Sequence, residues 1–335
     1  MFIDQKKYSY NDIKVQPAVI SNINHRYECN TYDENGMLPI FAAPMTSIVD
    51  ENNYTSYINN KIIPVIPRSV DYNTRYSLIK QGIWVALSLD EFTDLFINQT
   101  INFKDIDMPF HVLLDIANGH MKRVIDICKT VKEKYWDNVI IMAGNIANPE
   151  TYIEYCNAGI DYVRCGIGSG GVCITSSQTA IHYPMASLID EIRTIKESMP
   201  GFTTKIIADG GIRNYDDVIK ALSLGADYVM IGSLFAEMEE ACGEIFRTED
   251  GTLVRQIFGM ASAQGQIAIN GVKTKTSEGI VKTHPVKYTL PKWTENMCDY
   301  IRSAMSYGNC KHYSEIYYNT KCYPVSVNTV ESINK

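Results

Sequence analysis

The sequence of 335 residues lacks the features of a membrane protein or a nucleic-acid-binding protein. Its 31 lysines and arginines are outnumbered by 38 aspartates and glutamates, so the net charge is −7. No apolar run reaches the roughly 18 residues that a membrane-spanning helix needs, and residues 1–14 lack the apolar stretch of a secretion signal. We therefore expect a cytoplasmic protein that binds neither nucleic acid nor membranes.

The nine cysteines include no CxxC pair, and their odd number does not suit a disulfide framework. These absences argue against a zinc site, an iron–sulfur site and a small disulfide-rich fold. Most of the thiols, including Cys165, are expected to be buried and to pack as small hydrophobes. Cys173 differs from the others because it follows four glycines that lie within six residues.

Short apolar runs alternate with helical segments over the first 233 residues, which predicts a parallel sheet. Eight such units without a break in composition favour a closed (β/α)8 TIM barrel, with a doubly wound open sheet as the alternative. The predicted helices include 121–134 and 216–224. The predicted strands are 38–43, 62–66, 84–89, 110–115, 139–143, 162–164, 205–208 and 228–231.

The rest of the chain shows no second domain of comparable size, so one barrel domain over 1–335 is expected. Residues 234–290 contain six glycines and no long periodic segment, which is typical of an irregular lid. We expect a catalytic flap at about 250–290. A closing helix at about 294–305 and a tail rich in tyrosine and asparagine should follow.

In a TIM barrel the active site lies at the carboxyl ends of the strands. Most polar or glycine-rich turns of this sequence fall at these ends: Pro44-Met45-Thr46, Arg68, Ser88, Asp115 with Asn118, Gly144-Asn145, the loop 166–173, Asp209-Gly210-Gly211 and Gly232-Ser233. This coincidence supports the barrel and predicts where the functional site lies.

The loop 166–173 predicts a nucleophilic site. Its glycines can adopt positive φ and approach a ligand closely, and a thiolate is a strong nucleophile when nearby amides lower its pKa. The alternative for Cys173 is a glycine-rich turn that precedes a buried thiol. The glycine turns after the last two predicted strands suit backbone binding of phosphate. Asp209 suits ribose hydroxyls, or it caps a tight turn.

Four segments carry a resemblance to a known family: GIGSGGVCIT, IIADGGIRN, VMIGSLFA and residues 258–262. They resemble the purine-nucleotide barrel family that contains IMP dehydrogenase and GMP reductase. The similarity extends from residues 8–14 to residues 306–308 and therefore covers most of the chain.

Local features favour the reductase branch. Residues 115–120, 142–145 and 276–279 resemble the reductase forms of these motifs, and 335 residues leave no room for the regulatory CBS-type modules of many dehydrogenases. Residues 263–277 contain neither arginine nor tyrosine, whereas the dehydrogenase flap typically offers an Arg–Tyr pair that activates water. An IMP dehydrogenase that converts IMP to XMP with NAD is the alternative.

The resemblance implies a covalent mechanism. Cys173 attacks C2 of the guanine ring of GMP, and Thr175 and Glu278 supply the proton with which ammonia leaves. NADPH then reduces the thioimidate, and IMP is released. Lys273 and Lys275 would favour the ionised form of Glu278.

The resemblance also implies binding roles and an assembly. Carbonyls of Gly166, Gly168 and Cys173 resemble those that hold a monovalent cation in relatives, so potassium is a candidate ligand. Relatives are usually tetramers, which implies a homotetramer. The implied cofactor residues are Arg68, Asp115, Asn118, Gly144 and Asn145. The implied nucleotide-binding residues are Gly171, Asp209, Gly210, Gly211, Gly232, Ser233, Gly259, Met260 and Ala261.

Several positions depart from the family pattern near the expected nucleotide site. Gly171 stands where the family commonly has a phosphate-binding serine, and residues 43–49 lack the aspartate usual near the first strand. Pro67 and Arg68 replace a His-Arg pair, and residues 180–182 replace a glycine-rich lead-in. A deoxy or base-modified guanine nucleotide is therefore an alternative substrate, and a non-catalytic nucleotide-binding barrel is an alternative function.

Overall fold

A computed structural model describes residues 5–99, 101, 103, 106, 108–274 and 276–326. Eight parallel strands close into a barrel in this part of the chain, which confirms the predicted (β/α)8 TIM barrel. Strand β1 (Ile13–Gln16) precedes the barrel. The barrel strands are β2 (Ile40–Ala42), β3 (Ile63–Ile66), β4 (Trp84–Leu87), β5 (Phe110–Asp115), β6 (Val139–Ile146), β7 (Tyr162–Cys165), β8 (Lys205–Asp209) and β9 (Tyr228–Ile231).

The helices pack around this barrel by their apolar faces. In α4, for example, Val124, Cys128, Val131 and Tyr135 are buried at spacings of three and four residues. No helix in the described part of the chain is long and apolar enough to cross a membrane. The α-helices are α1 (Tyr54–Asn59), α2 (Tyr72–Ile79), α3 (Leu89–Thr93), α4 (Lys122–Tyr135), α5 (Thr151–Asn157), α6 (Thr175–Thr179), α7 (Met185–Ser198), α8 (Tyr215–Ser223), α9 (Ala263–Asn270), α10 (Leu290–Tyr307) and α11 (Ile316–Asn319).

Aromatic side chains fill the barrel interior near the amino ends of its strands. Trp84, Tyr162 and Tyr228 each begin a strand, and they surround Phe41 with ring-centroid distances of 5.7, 6.2 and 5.3 Å. Edge-to-face contacts of this kind favour tight packing. The interior is therefore closed at this end, and a ligand can enter from the carboxyl ends of the strands.

The segment that follows the barrel is more regular than the sequence predicts. Strands β10 (Ile245–Arg247), β11 (Leu253–Phe258) and β12 (Val281–Pro285) form an antiparallel sheet, and α9 lies between the last two strands. The fully buried Arg255 donates hydrogen bonds to the carbonyl oxygens of Ala236, Glu239 and Gly243. Arg255 is a charged residue on the buried face of β11. The sequence of β11 therefore lacks the hydrophobic pattern that indicates a strand.

The two ends of the described chain meet beside α8. Strand β13 (Lys321–Pro324) pairs antiparallel with β1, so part of the predicted tail is ordered as a strand. Helix α10 is longer than the predicted 294–305, because Thr289 caps it and Pro291 occupies its first turn. Residues 327–335 of the predicted tail lie outside the described residues.

An ion pair between α2 and α3 predicts a pH-dependent stability. The buried Arg75 donates to Glu91 Oε1 at 2.5 Å, and the Ser88 amide donates to Glu91 Oε2 at 2.8 Å. Burial raises the pKa of Glu91, but these bonds outweigh it, and the pKa lies below its ordinary value. The stabilisation by this ion pair is therefore present at pH values above the pKa of glutamate in the unfolded chain, about 4.3. It is lost as the pH falls through the lower pKa that Glu91 has in the folded protein.

We expect Glu91→Gln to lower the free energy of unfolding at pH 7 by about 2 kcal/mol. The difference from wild type should shrink towards zero below about pH 4. Urea unfolding at pH 7 and below about pH 4 measures this difference in the free energy of unfolding. Glu133→Gln on the exposed face of α4 is the control. A difference that stays constant with pH would contradict the assignment.

Candidate active site

The loop between β7 and α6 passes over the carboxyl end of β8. Gly166 and Gly168 have φ of +133° and +74°, as the sequence suggests, whereas Gly170 and Gly171 do not have positive φ. A Cβ on Gly166 would lie 2.2 Å from the carbonyl oxygen of Asp209. The absence of a side chain at Gly166 therefore lets the loop that carries Cys173 lie directly against the barrel.

Cys173, Thr175 and Glu278 form a continuous hydrogen-bonded chain. The Cys173 thiol donates to Thr175 Oγ1 at 3.3 Å, and Thr175 Oγ1 donates to Glu278 Oε2 at 2.8 Å. All three residues are partly exposed. The arrangement can carry a proton between the thiol and the carboxylate through one hydroxyl.

Backbone pairing holds Glu278 next to the cysteine loop. The Ile174 amide donates to the Glu278 carbonyl at 3.0 Å, and the Ile280 amide donates to the Val172 carbonyl at 2.9 Å. The Glu278 amide donates to the Ala261 carbonyl at 3.0 Å. These bonds fix the position of an acid that lies far along the chain from Cys173. Of the two lysines predicted to act on Glu278, Lys273 is exposed, and Lys275 lies outside the described residues.

Cys173, Thr175 and Glu278 line a cavity of about 260 Å³ at the carboxyl ends of the barrel strands. The cavity contains every predicted site residue except Arg68, Asn118 and Gly144. Besides Cys173, Thr175 and Glu278, the predicted residues that line the cavity are Asp115, Asn145, Gly166, Gly168, Gly171, Asp209, Gly210, Gly211, Gly232, Ser233, Gly259, Met260 and Ala261.

The remaining three predicted residues lie beside the cavity. Arg68 Nη1 donates to the Asp115 carbonyl at 3.3 Å, and its Nε is buried without a hydrogen-bond partner. Asn118 is exposed and accepts a bond from the His120 amide. A Cβ on Gly144 would lie 2.5 Å from the Arg164 carbonyl oxygen, so this glycine permits close packing of β6 and β7.

Arg164 is a cavity residue that the sequence reasoning missed. It is buried at the end of β7, and it donates to Asp115 Oδ1 and Asp209 Oδ2, both at 2.8 Å. Burial lowers the pKa of Arg164, but the two carboxylates outweigh this effect and raise the pKa, so the guanidinium is charged. The available signal was an arginine that ends an apolar strand and precedes a glycine loop.

Asp209 is held by several donors. Besides Arg164, the Asn145 amide group donates to Asp209 Oδ2 at 2.7 Å and to the Gly166 carbonyl at 2.7 Å. Within the described residues, these donors all bond to Asp209 Oδ2, so Oδ1 is available to accept a hydrogen bond from a ligand. Arg164 and Asn145 thus set the orientation of the carboxylate.

The predicted phosphate turns have distinct geometries. Gly210 and Gly211 have φ of +103° and +78°, and the Gly211 amide already donates to the Ser169 carbonyl at 3.1 Å. The Ser233 hydroxyl lies 3.0 Å from the place that a Cβ on Gly171 would take. A phosphate bound here would lie close to the Ser233 hydroxyl, because position 171 carries no side chain that would come between them.

The carbonyls predicted to hold a cation have partners within the protein. The Gly166 carbonyl accepts from Asn145, and the Gly168 carbonyl accepts from Ser176 Oγ at 3.2 Å. Two of the three predicted oxygen ligands are therefore already hydrogen-bonded.

A barrel that presents a cysteine, a hydroxyl and a carboxylate in contact in one cavity is typical of enzymes with a thiol nucleophile. Residues 98–333 match the IMP dehydrogenase / GMP reductase domain. This chain belongs to the IMP dehydrogenase / GMP reductase family, and the family predicted from the motifs is confirmed.

Three relatives give the scale of the similarity. The chain is 35% identical over 266 residues to a GMP reductase of Bacillus subtilis, which covers 76% of this chain and 78% of the relative. It is 34% identical over 267 residues to a GMP reductase of Shouchella clausii, with the same coverage of 76% and 78%. It is 31% identical over 321 residues to a GMP reductase of Lactobacillus delbrueckii subsp. bulgaricus, which covers 91% of each chain.

Proposed function

We propose that this chain is an oxidoreductase of the GMP reductase type, which converts GMP to IMP and ammonia with NADPH. The observation that carries the proposal is the hydrogen-bonded chain from Cys173 through Thr175 to Glu278 inside the cavity. The relatives named GMP reductase support the substrate, at 31% to 35% identity.

In the first half of the reaction, the thiol proton of Cys173 passes through Thr175 to Glu278, and the thiolate attacks C2 of the guanine ring. The electron pair of the C2=N3 bond moves to N3. Glu278 then returns the proton through Thr175 to the 2-amino group, which leaves as ammonia. The product of this half is a thioimidate that links Cys173 Sγ to C2.

In the second half, C2 receives a hydride, which the reduced nicotinamide of NADPH would supply when bound. The C2–S bond then breaks, Cys173 leaves as the thiolate, and IMP carries hydrogen at C2. Asp115 and Asn145 line the cavity on the side proposed for the cofactor, and Arg68 lies behind Asp115.

The remaining cavity residues position the nucleotide. Asp209 Oδ1 would accept from the ribose, and the Ser233 hydroxyl and the neighbouring glycine turns would bind the phosphate. Gly259, Met260 and Ala261 would face the base. We also propose a homotetramer on the family resemblance.

The direct test incubates the protein with GMP and NADPH and follows the absorbance of the reduced nicotinamide. We expect NADPH oxidation with an equal amount of ammonia released, and dGMP as a parallel substrate tests the deoxy alternative. NADH formation from IMP and NAD without turnover of GMP would identify a dehydrogenase. Nucleotide binding without any turnover would identify a non-catalytic barrel.

The proposed proton relay predicts the effect of two substitutions. Glu278→Gln and Thr175→Val should each lower kcat about 100-fold, because ammonia then leaves without its proton donor. The double variant should be no worse than either single variant, since the two groups act in series. Steady-state assays of ammonia release measure this, with Glu249→Gln on the exposed flap turn as the matched control. Losses that multiply in the double variant would contradict the relay.

A further inference from the structure

The first turn of α9 packs directly against residues 259–261, which line the active-site cavity. Ser262 is the N-cap of the helix, and its hydroxyl accepts a hydrogen bond from the Gly265 amide at 3.0 Å. A Cβ on Gly265 would lie 2.5 Å from the carbonyl oxygen of Gly259, so a glycine at position 265 permits this close packing. The position of the helix is therefore tied to the turn that is proposed to face the base.

Gln266 lies in the same turn of α9 and is a polar residue that is 3% exposed. Its Nε2 donates to the Ala261 carbonyl at 3.3 Å, and its Oε1 accepts from the Thr274 amide at 3.0 Å. The Thr274 hydroxyl also donates to this oxygen, at 3.3 Å. Both ends of the buried side-chain amide are thus hydrogen-bonded, as buried polar groups generally are. One side chain joins the turn that precedes α9 to the segment that follows the helix.

The Ala261 carbonyl has a second donor, which is the backbone amide of Glu278. This amide bonds to the carbonyl oxygen at 3.0 Å, so Gln266 and Glu278 share one acceptor. Thr274, the other partner of Gln266, lies four residues before Glu278 in the chain. Gln266 therefore holds Glu278 in two ways: through Thr274 ahead of it, and through the carbonyl to which its amide bonds.

The proposed proton relay depends on the position of Glu278. Its Oε2 accepts from Thr175 Oγ1 at 2.8 Å, and a hydrogen bond of this kind weakens steeply as the two oxygens move apart. A displacement of about 1 Å in an active site can cost about 100-fold in rate. Because Glu278 is partly exposed, the hydrogen bonds of its backbone bear directly on where its carboxylate lies.

We propose that Gln266 is a positioning residue for proton transfer, which keeps Glu278 within hydrogen-bond reach of Thr175. This role rests on the proposed function, because it serves Glu278 as the donor of the proton with which ammonia leaves. Gln266 is not among the described residues that line the cavity. It therefore acts on the reaction through Ala261 and Glu278 rather than by contact with the substrate.

The test is a double-mutant cycle of Gln266→Leu and Glu278→Gln, with kcat for ammonia release as the readout. Gln266→Leu should lower kcat about tenfold in the wild-type background, because Glu278 then leaves Thr175 more often. In the Glu278→Gln background the same change should lower kcat less than about twofold, since the relay is already broken. The matched control is Gln264→Leu, two residues away on the exposed side of α9, which should leave kcat unchanged.

Hydrogen–deuterium exchange at the Glu278 amide gives a readout that does not depend on turnover. Gln266→Leu should raise the exchange rate of this amide about tenfold, because the shared carbonyl and the Thr274 segment lose a partner. The amides of α4 should exchange as in wild type. Gln266→Asn keeps the amide on a shorter side chain, and it should change kcat and exchange in the same direction by smaller factors. It replaces Gln266→Leu in both measurements if the leucine variant does not fold.

Three results would overturn this role of Gln266. The first is an equal loss of kcat in both backgrounds, which would show a general effect on the fold. The second is a higher KM for GMP with kcat unchanged, because Gln266 would then serve the base rather than the relay. The third is unchanged exchange at the Glu278 amide. A wild-type protein that binds GMP without turnover would contradict the proposed function instead, and the exchange rate would still decide whether Gln266 holds Glu278.

Discussion

The Cys173→Ala variant should lose at least about 10,000-fold in kcat, because removal of a covalent nucleophile removes the whole reaction route. The thiol faces the cavity and donates to Thr175, and no other cysteine lines that cavity in the described chain. Nucleotide binding should survive, since Asp209 and Ser233 remain in place. The variant should therefore bind GMP and fail to convert it.

The measurement combines turnover with intact-protein mass spectrometry of the enzyme incubated with GMP alone. Wild type should show a covalent nucleotide adduct, and Cys173→Ala should show none. The matched control is Cys165→Ala, because Cys165 lies at the end of β7 but is fully buried, and burial raises its pKa well above the ordinary value. An adduct that persists in Cys173→Ala, or turnover that depends on Cys165 instead, would refute the assignment of the nucleophile.

Replacement of Arg164 by methionine should lower the free energy of unfolding by about 3–5 kcal/mol. Arg164 is the cation that separates Asp115 from Asp209, and both carboxylates are largely buried beside it. Without the guanidinium, two negative charges remain in the same cavity without a cation between them. The loss should be several times larger than that of a surface ion pair.

Urea unfolding at neutral pH tests this expectation. The control is Lys122→Met, which breaks the pair with Asp126 between two exposed side chains of α4 and should cost about 0.5 kcal/mol. Arg164→Lys should fall between wild type and Arg164→Met, because an ammonium group does not reach two carboxylates in the planar fork geometry of a guanidinium. Adding Asp115→Asn to Arg164→Met should restore part of the stability. An Arg164→Met variant as stable as wild type would show that the carboxylates find other partners.

Much of the fold could be predicted because hydrophobic periodicity is a local property. Strands β5 and β9 have their predicted bounds, and α4 is displaced by a single residue from the predicted 121–134. Strand β2 is shorter than the predicted 38–43. The Ile40 amide bonds to the Leu38 carbonyl in a local turn rather than to a neighbouring strand.

The flap shows where local patterns were insufficient. Its strands pair with each other rather than with the barrel, and the buried Arg255 is held by backbone carbonyls of residues 236–243. The six glycines of residues 234–290 and the lack of a long periodic segment predict an irregular lid, and a buried arginine gives no sign of a core-facing strand in such a pattern. The contact between Glu278 and Thr175 was expected only from the family resemblance, since 103 residues separate them.

The sequence alone determined the barrel, the family and the thiol loop, because the alternation of strands and helices and the spacing of glycines depend only on residues that are close together in the chain. Only the tertiary structure decided which side chains meet. It placed Arg164 between two carboxylates and left Arg68 beside the cavity rather than in it. The physical reason is that ion pairs and cavity walls depend on contacts between residues far apart in the chain, which no local pattern records.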